Sequence, residues 1–255
     1  MTAKLYAMTC GHLTAGLKDM IEGGVGRVPL PVPSFLIEHA KGRVLFDTGM
    51  HPQCRNDAAT RLGERTAQRF GFEQFGADDD VKSRLEAIDR DAARIDWVIN
   101  SHLHFDHAGG NALIPNATLL VQRLEWQAAS NPELAAQIGL RSDEIAHGHA
   151  VQQVDGEHDV FGDGSVVCIP TPGHTPGHQS LRVRTATGEA VLTGDACYFC
   201  ATLRERRLPR FVHDREQMLA SLDTLAGLER NGAKLFFGHD PEAWQQVPQA
   251  PLQAI

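Results

Sequence analysis

Apolar and polar positions alternate in short runs along much of this chain, the period-two pattern of half-buried strands. Residues 2–8 form the first such run, and residues 34–38 and 43–47 read as a hairpin about Lys41-Gly42. Between them, residues 10–33 are rich in Gly and Pro and read as a loop. Further strands are predicted at 97–100, 118–121, 165–170 and 234–237, with a second hairpin of 180–184 and 189–193 about Thr187-Gly188. Helical spacing takes over at 57–71, at 80–88 behind the acidic entry Ala77-Asp78-Asp79-Asp80, at 123–130, and at 214–230. In the last of these, Leu219, Leu222, Leu225 and Ala226 make an apolar stripe that Asn231-Gly232 stops. Residues 196–213, with Arg204, Arg206, Arg207 and Arg210, read as one long irregular segment. The two hairpins each close on an aspartate, Asp47 and Asp195, which suggests two similar halves. No linker interrupts the alternation, so residues 1–255 are expected to form a single α/β domain of packed sheets flanked by helices.

The strand at 97–100 runs into His102-Leu103-His104-Phe105-Asp106-His107, four potential metal ligands in six residues. If the strand continues, His102, His104 and Asp106 share one face while Leu103 and Phe105 pack on the other. Ala108-Gly109-Gly110 then turns the chain and swings His107 beside Asp106. One metal does not readily use all four groups, so the hexapeptide points to two ions side by side, His102 and His104 on one, Asp106 and His107 on the other. Thirteen histidines in 255 residues make scattered pairs unremarkable, but not this hexapeptide at the end of an apolar strand.

Such a site needs more ligands. His174, Asp195 and His239 each follow a predicted strand and each sits beside a glycine. Together they complete two sets: His102, His104 and His174; Asp106, His107 and His239; and Asp195 bridging. Imidazole and carboxylate ligation suits Zn2+, while iron, cobalt or manganese fits the same donors.

Composition narrows the classes further. Hydrophobic content of 42% and charged content of 22% are those of a globular chain, and a net charge of -8 argues against an extended phosphate-binding surface and so against a nucleic-acid partner. No apolar run reaches the length of a membrane span, and Met1 to Tyr6 lacks the apolar core of a signal peptide. Five irregularly spaced cysteines fit a reducing compartment, so a cytoplasmic location is expected. Cys197 and Cys200 form a CxxC without a second pair, and buried free thiols are the expected state.

The ordered set HxHxDH, His, Asp, His resembles the metallo-β-lactamase superfamily, and within it the N-acyl homoserine lactone lactonases. The closer likeness is carried by Ser101 to Asn111, by Val121-Gln122-Arg123 with Glu125, by Thr171-Pro172-Gly173-His174-Thr175-Pro176-Gly177-His178-Gln179-Ser180-Leu181, by Phe236-Phe237-Gly238-His239-Asp240, and by Asp195 followed by Tyr198. The resemblance implies an αββα sandwich with two metals at one edge of the paired sheets. It also implies a small-molecule lactone substrate, opened by a metal-bridging hydroxide, and a homodimer formed through the N-terminal loop. Tyr198 is then the hydrogen-bond donor to the developing oxyanion, worth a few kcal/mol when preorganised. Asp106 returns the proton to the leaving oxygen. Asp47 and His178 are candidates to orient ligands. The seven other histidines, His12, His39, His51, His147, His149, His158 and His213, take ordinary surface or core roles. An acyl chain needs an apolar groove, for which Leu17, Met20, Ile21, Val25, Phe105 and Phe199 are candidates. Gly194, Cys197 and the composition of the N-terminal loop depart from the family pattern. Another lactone, ester, thioester or phosphotriester is the rival substrate, and a non-catalytic lactone or metal binder the rival class.

Overall fold

The computed structural model of the chain describes residues 1–140 and 147–255. Six strands, β1 (Lys4–Gly16), β2 (Arg27–His39), β3 (Gly42–Phe46), β4 (Trp97–Ile99), β5 (Thr118–Gln122) and β6 (Val151–Val154), form one sheet in sequence order. Its first pairs are antiparallel; β3 to β6 run parallel. The second sheet takes β7 (His158–Asp159), β8 (Val166–Pro170), β9 (Gln179–Arg184), β10 (Glu189–Leu192) and β11 (Lys234–Phe236), with only the β10–β11 pair parallel. The helices are α1 (Leu17–Met20), α2 (Cys54–Leu62), α3 (Glu64–Arg69), α4 (Val81–Glu86), α5 (Phe105–Ala108), α6 (Arg123–Ser130), α7 (Pro132–Ile138), α8 (Cys200–Glu205), α9 (Arg215–Arg230) and α10 (Pro241–Trp244).

Alternation along the strands builds four layers. Leu5, Phe35, Ile37, Val44, Phe46, Ile99 and Leu120 leave the first sheet on its inner face and meet Val166, Leu181, Val183, Ala190, Leu192 and Phe236 of the second. The intervening positions Leu36, Leu45 and Val98 point outward, where Val81 and Leu85 of α4 cover them. On the far side, Met218, Leu222 and Leu225 of α9 cover Val191 and Leu235. Each of those three helix side chains is fully buried, worth about 1.5–3 kcal/mol apiece. The expected αββα arrangement is therefore what forms.

Four local expectations do not hold. Residues 10–33 are mostly strand, since β1 and β2 pair along their length with a register shift between Thr9 and His12. Pro29, Pro31 and Pro33 are tolerated because β3 pairs only with residues 35–39, so residues 27–33 of β2 have a strand neighbour on one side alone. The expected helix at 57–71 is two helices parted at Gly63, and the irregular stretch 196–213 contains α8. Finally, β4 stops at Ile99, so His102, His104 and Asp106 do not share a strand face. Part of the polar stretch leading to His147, residues 141–146, lies outside the described residues.

Candidate metal centre

Asp47, Ser101 to His107, His174, Asp195 and His239 all lie just beyond the carboxyl ends of their strands, at one edge of the sandwich, the place where open α/β sheets present their ligands. His104 is the residue from which α5 starts, and Asp106 and His107 occupy its single turn. The turn, rather than strand alternation, brings the four side chains of the hexapeptide together. Leu103 packs on Ala108, Val121 and Ala128 behind the site.

The donors converge in two groups. One ligand atom each from His102, His104, His174 and Asp195 lie within 4.8 Å of one another, and so do those of Asp106, His107 and His239. Asp195 joins them: Oδ1 is 3.2 Å from Nε2 of both His107 and His239, while Oδ2 is 3.4 Å from Nε2 of His174 and 3.8 Å from Nε2 of His102. All seven residues of the two sequence-predicted sets thus meet in space. His107 Nε2, His239 Nε2 and Asp195 Oδ1 are buried without a hydrogen bond. Such orphaned atoms, all of them cation ligands by chemistry, fit a pair of divalent ions.

The opposite ring nitrogens of four of the five imidazoles are held by the protein, as is usual for metal-ligating histidines, while His174 Nδ1 is buried without a hydrogen-bond partner among the described residues. His104 Nε2 lies 2.8 Å from the Ile138 carbonyl, His239 Nδ1 2.8 Å from the Pro31 carbonyl, and His102 Nδ1 3.0 Å from the Ser101 hydroxyl. His107 Nδ1 donates to Asp47 Oδ2 at 2.8 Å, and the same carboxylate accepts from the Ser101 amide at 2.7 Å and its hydroxyl at 2.8 Å. His178 Nε2 accepts the Asp195 amide at 2.9 Å, fixing the backbone of the bridging residue. The orienting roles expected of Asp47 and His178 therefore have a geometric basis. Gly194 sits at φ +53° with Ser101 and His178 packed so closely that a Cβ would lie 2.8 Å from each, which accounts for glycine at this departure from the family pattern.

The charges respond to this packing. Burial, with neighbouring imidazoles adding to it, depresses His102 and His174 well below the usual histidine range. Burial opposes charge on His107 too, but the carboxylates of Asp195, Asp106 and Asp47 together hold it well above that range. Burial would raise Asp195, yet His107 and His239 beside it keep its carboxyl well below the usual value. Tyr198 is pushed well above the phenol range by burial first and by the Asp195 and Asp106 carboxylates second, so its hydroxyl stays protonated. Its ring stands 5.6 Å from that of His174 and 5.4 Å from that of His239.

The centre forms the floor of a cavity of about 530 Å3, where His104, Asp106, His174, Asp195, Tyr198 and His239 are exposed to it. Met20, Phe70, Phe105, Ile138, Phe211 and Val212 supply apolar wall. Met20 and Phe105 were expected there. Ile21 and Phe199 instead fill a small core with Leu30 and Tyr198, Leu17 packs against that core, and Val25 is 84% exposed. Phe70, Phe211 and Ile138, and His213 among the histidines given ordinary roles, were missed. Cys197 is buried between the second sheet and α9, its thiol pushed up well above the ordinary value by burial, and it faces core rather than cavity.

The sequence profile of the metallo-beta-lactamase superfamily matches residues 27–239. The chain belongs to that superfamily. Among curated relatives it is 34% identical to the N-acyl homoserine lactonase AttM of Azorhizobium caulinodans over 97% of both chains. It is 32% identical to the N-acyl homoserine lactonase AiiA of Bacillus thuringiensis subsp. kurstaki over 84% of this chain and 82% of that one. Among solved structures it superimposes with a TM-score of 0.88 and 29% identity on an N-acyl homoserine lactone hydrolase holding the product N-hexanoyl-L-homoserine at its catalytic metal centre, covering 99% of this chain and 100% of the other. Within the metallo-beta-lactamase superfamily the chain therefore stands with the N-acyl homoserine lactonases. No described helix is long and apolar enough to cross a membrane.

Proposed function

We propose that this chain is a quorum-quenching hydrolase that opens the lactone ring of N-acyl homoserine lactones on two Zn2+ ions, residues 1–255 acting as one domain. The observation that carries this reading is the bridged double donor set, with the Tyr198 hydroxyl beside it, at the floor of a partly apolar cavity in a chain so similar to lactonases. His102, His104 and His174 would hold one ion, Asp106, His107 and His239 the other, and Asp195 both. Ions so held supply Lewis acidity, bringing the pKa of water from about 15.7 towards about 7 and polarising a carbonyl.

The chain's own groups do the rest. Tyr198, kept protonated, donates a hydrogen bond to the carbonyl oxygen as it gains charge. Asp106 faces the cavity and takes the proton that the attacking water gives up. As the new carbon–oxygen bond forms and the ring carbon–oxygen bond breaks, Asp106 returns that proton to the ring oxygen, leaving a hydroxy acid. Phe70, Phe105, Phe211, Met20 and Ile138 take the acyl chain. Cysteines that form no disulfide are consistent with a cytoplasmic location, and the exposed Val25 would be covered by a homodimer contact through the α1–β2 connection.

The test is proton release by metal-replete protein over a series of N-acyl homoserine lactones, with γ-butyrolactone and a phosphotriester alongside. Turnover that improves with the acyl amide is expected. Silence across the series with turnover of the phosphotriester would move the substrate class, and silence on everything would favour a binder. Tyr198→Phe is expected to lower kcat by about 10- to 100-fold with KM changed less than threefold, since the donor acts on charge present only in the transition state; steady-state kinetics on the preferred lactone checks this.

A further inference from the structure

Among the buried charged groups that this mechanism leaves unused, Glu125 on α6 stands out, because it is fully buried and its carboxylate has no cationic partner among the described residues. An unpaired buried carboxylate is costly, and burial pushes this carboxyl up to about 7. What it touches gives the cost a purpose. Glu125 Oε1 accepts the amide of Leu103 at 3.0 Å, and Oε2 accepts the amide of Gly177 at 3.0 Å. Leu103 lies between His102 and His104; Gly177 closes the turn that begins at His174. That turn is pressed against α6 so tightly that a Cβ on Gly177 would lie 2.1 Å from the Glu125 amide nitrogen.

One carboxylate thus joins the two chain segments that carry His102, His104 and His174, the three histidines of the first donor group. Asp106 and His107 follow on the same segment but sit in α5, beyond the braced amide. No bond joins Glu125 to the His239 segment among the described residues, and Glu125 does not line the cavity. We propose that Glu125 is a positioning residue that sets the spacing of His102 and His104 against His174, and so governs cation affinity at the first subsite and not at the second. The inference rests on the two-ion reading of the centre. A glutamine in its place keeps the shape but turns an amide NH2 towards one of the two backbone N–H groups, so only one of the braces survives.

The experiment is Co2+ titration of the metal-free full chain, followed by the visible absorption of the bound ion. The parent is expected to bind two Co2+. In a His239→Ala background, where the first subsite alone keeps its full donor set, Glu125→Gln is expected to weaken Co2+ binding by about 10- to 100-fold, the usual effect of losing a group that orients ligands. In a His174→Ala background the same substitution is expected to change affinity less than twofold. Glu125→Asp, which keeps the charge but withdraws it by one methylene, serves as the second variant should Glu125→Gln fail to fold, and should give the same split. Equal weakening in both backgrounds, or none in either, overturns the proposal. A parent that binds a single Co2+ overturns the two-ion reading and this inference with it, whereas absence of lactone turnover in a two-ion protein overturns only the substrate.

Discussion

Asp195→Asn is expected to cut kcat/KM for lactone hydrolysis by at least about a thousandfold, some 4 kcal/mol of transition-state stabilisation. The reason is geometric. The Asp195 carboxylate faces both donor groups: Oδ1 lies 3.2 Å from each of two imidazole nitrogens of the second group, and Oδ2 3.4 Å from one of the first. The side chain is buried, with its carboxyl held ionised by His107 and His239. An amide offers one acceptor atom, carries no charge, and turns an NH2 towards one of the groups, so one cation loses an anionic ligand and the other loses its link. Elemental analysis should therefore show the variant purified with less than two ions per chain, and turnover should fall with it. A variant that holds two ions and keeps activity within tenfold of the parent would remove Asp195 from the bridging role.

How much of this was legible beforehand follows from the range of each interaction. The candidate ligand set was readable because His102, His104, Asp106 and His107 fall within six residues and because His174, Asp195 and His239 each follow a strand. Their local geometry was not. Ser101 leaves the β4 ladder to give its amide to Asp47, and Asn100 Nδ2 bonds the His107 carbonyl at 3.1 Å. Side-chain bonds of this kind compete with strand pairing and end it. The amino-terminal strands were hidden for another reason, since prolines at 29, 31 and 33 argue against a strand unless one edge lacks a strand partner. That edge also meets the candidate metal centre, for the Pro31 carbonyl on it lies 2.8 Å from His239 Nδ1. The cavity walls were the least legible part. Phe70 follows α3, Ile138 ends α7 and Phe211 follows α8, so only tertiary packing puts them around one space. Glu125 was visible as part of the family likeness, but its role depends on two amides 22 and 52 residues away.

Removing the ions is expected to destabilise the whole chain as well as silence it. An ion present at about a thousand times its Kd stabilises the folded state by about 4 kcal/mol, and each kcal/mol moves Tm by about 2 to 4 °C in a protein of this size. Chelation should thus lower Tm by roughly 10 °C or more, with recovery on adding Zn2+. The metal-free form should also be acid-sensitive, and the sign can be assigned group by group. His102, His104, His174 and His178 are depressed below their ordinary 6.5 by burial, His178 to about 3. Unfolded, each takes up a proton near 6.5, so the stability tied to keeping them neutral is present above that pH and is lost as pH falls towards their folded values. His107 and His239 are raised, so the stability they add as pH falls is fully present by about 6.5 and does not offset the loss below it. Denaturant midpoints of the chelated protein should therefore drop between about pH 6.5 and pH 5. Loaded protein should release its ions over the same range as protons compete for imidazole. A midpoint independent of both chelator and pH would mean that the seven side chains pack stably without cations, and the two-ion centre would have to be abandoned.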